Sequence, residues 1–81
     1  MEHHFYILYS KQLDRFYIGH TSDELDQRLR RHNTNHKGFT GRANDWRLCY
    51  CEVYPSKSEA KERESQVKSW KSRKRLFQLL G

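Results

Sequence analysis

His4-Phe5-Tyr6-Ile7-Leu8-Tyr9 and Phe16-Tyr17-Ile18-Gly19 are two short aromatic and aliphatic runs, separated by the polar stretch Ser10-Lys11-Gln12-Leu13-Asp14-Arg15. Two β-prone runs joined by turn-forming residues predict a β-hairpin over about residues 3 to 20. Tyr6 and Tyr17 hold equivalent places in the two runs, so the hairpin brings their hydroxyls close together on neighbouring strands. A phenol repeated in this way points to work for its oxygen, and the pair defines one small candidate site.

Composition limits what such a site serves. The chain has 81 residues, which predicts a single domain over 1–81 with a small core and a shallow surface site. Sixteen Lys+Arg oppose ten Asp+Glu, for a net charge of +6, and an aromatic content of 14% is too high for a disordered basic tail. A folded domain with a polyanionic partner is expected. No apolar run approaches the roughly 18 residues that span a membrane, and the charged, aromatic N-terminus does not read as a signal peptide. The expected location is the cytoplasm, with no membrane partner. Cys49 and Cys51 alternate along one strand and are poorly placed to bridge each other, so reduced, partly buried thiols are expected. With five histidines a Cys-x-Cys pair raises zinc, but no second pair at ligand spacing follows.

Beyond the hairpin, Ser22 is placed to cap a helix running to about Asn33, with Asp23 and Glu24 in its first turn and Leu25 and Leu29 as its buried stripe. Residues 33–45, rich in Asn, Gly and Thr, read as a long loop, which in so small a domain is more often functional than accidental. Residues 46–54 read as the longest strand, ended by Pro55. Ser56 with Glu59 forms a capping-box signature for a helix to about Ser72, and Arg73 to Leu80 forms a last short helix. Leu76, Phe77, Leu79 and Leu80 would cover the core or, alternatively, pair with a partner. The order ββαβαα gives an α+β domain, a small antiparallel sheet covered by helices.

Three polar residues break the amphipathic pattern. Helical spacing puts Leu25, Arg28, Leu29 and His32 on one face, so Arg28 either snorkels to solvent beside a boundary histidine or turns inward as a cation. On the later helix Glu64 falls within the stripe of Ala60 and Val67, with Trp70 on its flank. A carboxylate turned toward a core needs a cation, a donor network or a metal, so Glu64 pairs with Arg28 or ligates an ion. The run Lys68 to Arg75 carries five basic residues and no acid, which is either a solvated helix face or a phosphate-binding footprint.

Taken together, Tyr6, the intact Tyr17-Ile18-Gly19, Arg28 followed four residues later by His32, and Glu64 resemble the GIY-YIG nuclease domain over nearly the whole chain. The first motif is degenerate, His4-Phe5-Tyr6, keeping its tyrosine without the glycine, and no counterpart of the family's late asparagine is evident. In length, in Phe39-Thr40 and in the Lys68 to Arg75 segment, the chain is most similar to small stand-alone bacterial members, which are described as similar to the incision subunit of nucleotide excision repair.

The resemblance implies a three-stranded antiparallel sheet flanked by helices and metal-dependent hydrolysis of DNA phosphodiesters, in repair or recombination. It implies a divalent ion, magnesium or manganese, on Glu64 and no small-molecule cofactor. Arg28 would then stabilise the phosphate in the transition state, Tyr17 would activate water, and Tyr6 would support it. A free phenol titrates near ~10, so such a base needs nearby cations, and His20 and His32 would stabilise it or relay the proton. Gly19 would let the backbone approach the phosphate, and Thr40 would donate to the DNA backbone from the long loop. Lys37, Arg42, Lys68, Lys71, Arg73, Lys74 and Arg75 would bind DNA. A homodimer or a protein partner would supply specificity. The alternatives are a non-catalytic DNA-binding module of the same fold and a protein-interaction domain.

Overall fold

The structure is a computed structural model and describes residues 2–34 and 38–81. Strands β1 (His3–Ser10) and β2 (Arg15–Thr21) pair antiparallel as the two aromatic runs predict. Asp14 closes the turn between them at a left-handed φ of 52°, which a short polar side chain tolerates better than most. Its carboxylate accepts from the Tyr9 hydroxyl at 2.6 Å and from the Arg73 guanidinium at 2.6 Å, tying the turn to the last helix.

Helix α1 (Leu25–His32) follows, then a short 3-10 turn (Phe39–Arg42), strand β3 (Arg47–Tyr54), helix α2 (Lys57–Ser69) and helix α3 (Arg73–Leu80). The sheet is three-stranded and antiparallel in the order β2-β1-β3, so β1 is central and β2 is an open edge. Alternation along the strands sends Phe5 and Ile7 to one face and Tyr6 and Leu8 to the other. Phe5 and Ile7 are completely buried with Val67 of α2 and Leu76 of α3, each such side chain contributing about 1.5–3 kcal/mol. Tyr6 and Leu8 are buried with Ala43 and Trp46, against Tyr17, Leu25 and Leu29. Helices therefore cover both faces, an α+β architecture.

Several local expectations are corrected. Ser22 does not cap α1: Glu24 holds that position without a side-chain bond, while the Asp23 amide donates to Thr21 Oγ1 at 3.0 Å in a competing turn. Asp23 and Glu24 thus precede the helix, and Asp26 is the acid of its first turn. Ser56 does cap α2, accepting from the Glu59 amide at 3.3 Å, but the helix ends at Ser69 rather than Ser72. Lys71 turns left-handed at φ 47°, and Ser72 caps α3 by accepting from the Arg75 amide. β3 equals β1 in length, at eight residues, and begins after Trp46, which is buried instead. Cys49 and Cys51 are free and both residues are exposed, but the Cys49 thiol is partly buried as expected: a bulge there lets it donate to the Ile7 carbonyl, and burial raises its pKa. Of the last helix, Leu76 is buried and Phe77 is exposed.

Candidate active site

The hairpin register sets Tyr6 opposite Gly19 and Leu8 opposite Tyr17, so the two tyrosines are diagonal neighbours on the face that α1 covers, with ring centroids 6.3 Å apart. Tyr6 is 1% exposed, and its hydroxyl has two partners. Arg28, one turn before the end of α1, points its Nε at the Tyr6 oxygen at 3.4 Å. His32, one turn further on, sets Nε2 2.8 Å from the same oxygen. Arginine is only a donor, so the Tyr6 oxygen accepts from Arg28, and the direction of its bond to His32 is set by the His32 tautomer. The other ring nitrogen of His32, Nδ1, is hydrogen-bonded with Thr40 Oγ1 at 2.9 Å. The Thr40 carbonyl in turn accepts the Trp46 indole N–H at 2.8 Å.

This chain of bonds fixes the ring of His32 and gives the long loop a structural purpose. Asn33 closes the loop from the other side, donating to the Trp46 carbonyl at 3.1 Å and accepting from its amide at 2.7 Å. Thr40 was expected to reach DNA; it is buried, and its hydroxyl holds His32 instead. Trp46 and Asn33 were missed as supports of the site. Their sequence signal is faint, a single aromatic and a single amide at the two ends of a loop without period.

Burial pushes the Tyr6 phenol up to about 12, against the Arg28 hydrogen bond, which works to lower it. The Tyr17 and Glu64 charges add to the rise. Arg28 is raised above its ordinary value, chiefly by bonding to Tyr6, so it remains a fixed cation. Tyr17 is half-buried, with its ring 4.6 Å from that of His32, and its hydroxyl makes no hydrogen bond among the described residues.

A second group lies on the α2 side of β2. His20 follows Gly19 and pairs across the sheet with Phe5, so it faces α2. Its Nδ1 bonds His3 Nε2 at 2.9 Å, and its Nε2 stands 3.9 Å from Glu64 Oε1. Glu64 does lie on the inner stripe of α2, with its side chain 18% exposed, but its ion-pair partner is Lys68 at 2.9 Å rather than Arg28. The spacing of four residues that joins Glu64 to Lys68 was legible in the sequence.

Gly19 lies against the two phenols. A Cβ there would stand 2.9 Å from the Tyr6 hydroxyl and 2.9 Å from Tyr17 Cε1, so its missing side chain makes room for both phenols.

Lys68, Lys71 and Arg73 line a groove of about 670 Å³ beside β2, together with Tyr17 and the unforeseen Arg15. Arg28 and Arg31 line a smaller concavity beside His32. Lys74 is exposed on the first turn of α3, Arg75 stacks over Trp70 at 4.7 Å, and Arg42 lines a separate hollow with Gln12 and Asn44. Lys37 lies outside the described residues.

Among the described residues no three His, Cys, Asp or Glu side chains cluster to form a ready-made metal cage. The donor set still fits magnesium or manganese, which bind through one or two carboxylates and take their remaining oxygens from water and substrate phosphate. Glu64 supplies such a carboxylate, and its partner Lys68 lines the neighbouring groove with Arg15, Lys71 and Arg73, cations suited to that phosphate.

No helix among the described residues is long and apolar enough to cross a membrane. No curated protein matches the chain. The solution structure of a UPF0213 protein from Bacillus halodurans is similar, with 33% identity and a TM-score of 0.60, over 99% of this chain and 83% of that one. The GIY-YIG catalytic domain matches residues 2–77, a span that includes the hairpin, α1 and all of α2. On that match, the chain belongs to the GIY-YIG family of nucleases.

Proposed function

We propose that this nuclease-family chain is an active, divalent-metal-dependent endonuclease that hydrolyses DNA phosphodiesters in the cytoplasm, in repair or recombination. The observation that carries the reading is the pair of phenols packed at Gly19, one of them bonded to the Arg28 guanidinium, with the Glu64 carboxylate near enough to act on Tyr6 electrostatically. A module that only bound DNA would gain little from a buried tyrosine wired through histidine to threonine.

Glu64 would hold the ion, magnesium or manganese, and His20 Nε2 lies 3.9 Å from its Oε1. When bound, such an ion supplies Lewis-acid stabilisation to the scissile phosphate and the departing 3′ oxygen. Arg28 is anchored on Tyr6 through Nε, which leaves its two terminal nitrogens to pair with a non-bridging phosphate oxygen. Tyr17, acting as the phenolate that the Arg28 cation favours electrostatically, takes the proton from the attacking water and becomes the phenol. Tyr6, held protonated by burial, positions Arg28 and His32 rather than acting as the base. Lys68, Lys71, Arg73 and Arg15 track the nucleic acid backbone along the groove.

Conversion of supercoiled plasmid to nicked circle in magnesium tests this, with Glu64→Ala and Tyr17→Phe compared with the parent. Both variants are expected to lose activity. Equal nicking by all three ends the mechanism, and tight DNA binding without cleavage by the parent identifies a binding module instead.

A further inference from the structure

Lys68 stands at a junction between two tasks. Its Nζ lies 2.9 Å from Glu64 Oε2, while the same side chain, 53% exposed, lines the groove with Arg15, Lys71 and Arg73, the last paired with the groove's one acid, Asp14. Glu64 is four-fifths covered between the buried Ala60 and Val67, and a carboxylate in that setting calls for a counter-charge. Lys68 provides it on Oε2, with His20 3.9 Å from Oε1. A divalent ion approaching Oε2 has the same sign as the ammonium, so the two compete for one oxygen. The lysine is a flexible point charge on a half-exposed side chain, and an ion pair at this helical spacing is worth only about a factor of two in equilibrium. Phosphate in the groove therefore offers an easy alternative partner.

We propose that Lys68 gates the metal carboxylate: it occupies Glu64 in the free protein and swings to a backbone phosphate when nucleic acid enters the groove, which opens Glu64 to the ion. Ion and nucleic acid then bind with positive coupling, and by linkage each raises the affinity of the other by the same factor. This rests on the reading of Glu64 as the metal ligand given above. Lys68 is a positioning residue here, acting on Glu64 rather than on the reacting atoms.

Mn²⁺ binding to the protein alone, followed by the electron paramagnetic resonance of the free ion, tests the gate without reference to activity. Lys68→Met is expected to bind Mn²⁺ about two- to fivefold more tightly than the parent, since the competing cation is gone. Lys61→Met, the same charge change on the same helix without an ion pair to Glu64, is expected to stay near the parent. In a parallel measurement, the ¹⁵N ammonium resonance of Lys68 is expected to move when a duplex oligonucleotide is added without metal. Equal affinities in parent and Lys68→Met overturn the gate, as does an equal gain in Lys61→Met or an unmoved Lys68 resonance. Absence of Mn²⁺ binding in every variant instead contradicts the metal role of Glu64, and the gate falls with it.

Discussion

The Tyr6 hydroxyl occupies the space that a side chain at Gly19 would need: the residues face each other across β1 and β2, and a Cβ at position 19 would lie 2.9 Å from that oxygen. Glycine at this point is a packing requirement of the site. It allows one phenol to lie across the edge strand and a second, from Tyr17, to lie beside it.

Gly19→Ala tests this directly. Tyr6 is buried and tied at its oxygen, so the strain falls on the half-buried Tyr17 ring and on the strand. A loss of about 1–3 kcal/mol in stability is expected from overpacking. Thermal melting and single-turnover cleavage, measured on the same sample, should show a fall in rate with most molecules still folded. A variant that cleaves at the parental rate contradicts the close packing of the two phenols.

The two tyrosines should respond differently to loss of their hydroxyls. Tyr6→Phe removes the buried oxygen that bonds both His32 Nε2 and Arg28 Nε, which costs about 1–3 kcal/mol. Tyr17→Phe removes a hydroxyl with no protein hydrogen bond among the described residues, so its stability should stay within about 0.5 kcal/mol of the parent. Its cleavage rate should fall about 10²- to 10⁴-fold, the usual contribution of a general base. Urea denaturation and single-turnover kinetics on both variants separate the roles. The reverse pattern, an unstable Tyr17→Phe and an inactive but stable Tyr6→Phe, exchanges them.

How much of this was legible follows from the range of each interaction. The hairpin was readable because alternation and turn residues are local, and the Ser56 cap because its partner is three residues away. Inward placement of Glu64 followed from helical phase. Ser22 misled because Thr21, Ser22 and Asp23 all compete to bond nearby amides, and the choice is made by where β2 ends. The break at Lys71 was hidden because lysine favours helices and nothing in its type announces a left-handed turn. The bond from Thr40 to His32 joins residues across an aperiodic loop, where no sequence pattern fixes geometry.

Away from the site, Glu52 on β3 makes a pH-sensitive tie to α2. It accepts from the Tyr50 hydroxyl, from the Tyr54 hydroxyl at 2.6 Å and from Arg63 Nε at 3.0 Å. Burial raises its pKa, but these donors outweigh it, and the carboxyl ends below its ordinary value of 4.5. A depressed folded-state pKa stabilises the fold above the unfolded value, and that contribution is lost as pH falls through the folded one. Chemical denaturation between about pH 3 and pH 7 should therefore show stability falling below pH 4.5. Glu52→Gln should be less stable by about 1–3 kcal/mol at neutral pH and should have a flatter acid limb. An unchanged acid limb in the variant contradicts the assignment.

The most direct measurement is the single-turnover cleavage of end-labelled DNA in magnesium by the parent chain and by Glu64→Ala, with the fold of each checked by its melting curve. Cleavage by the parent and a rate at background for a folded Glu64→Ala is the predicted result. A folded Glu64→Ala that cleaves at the parental rate contradicts the account.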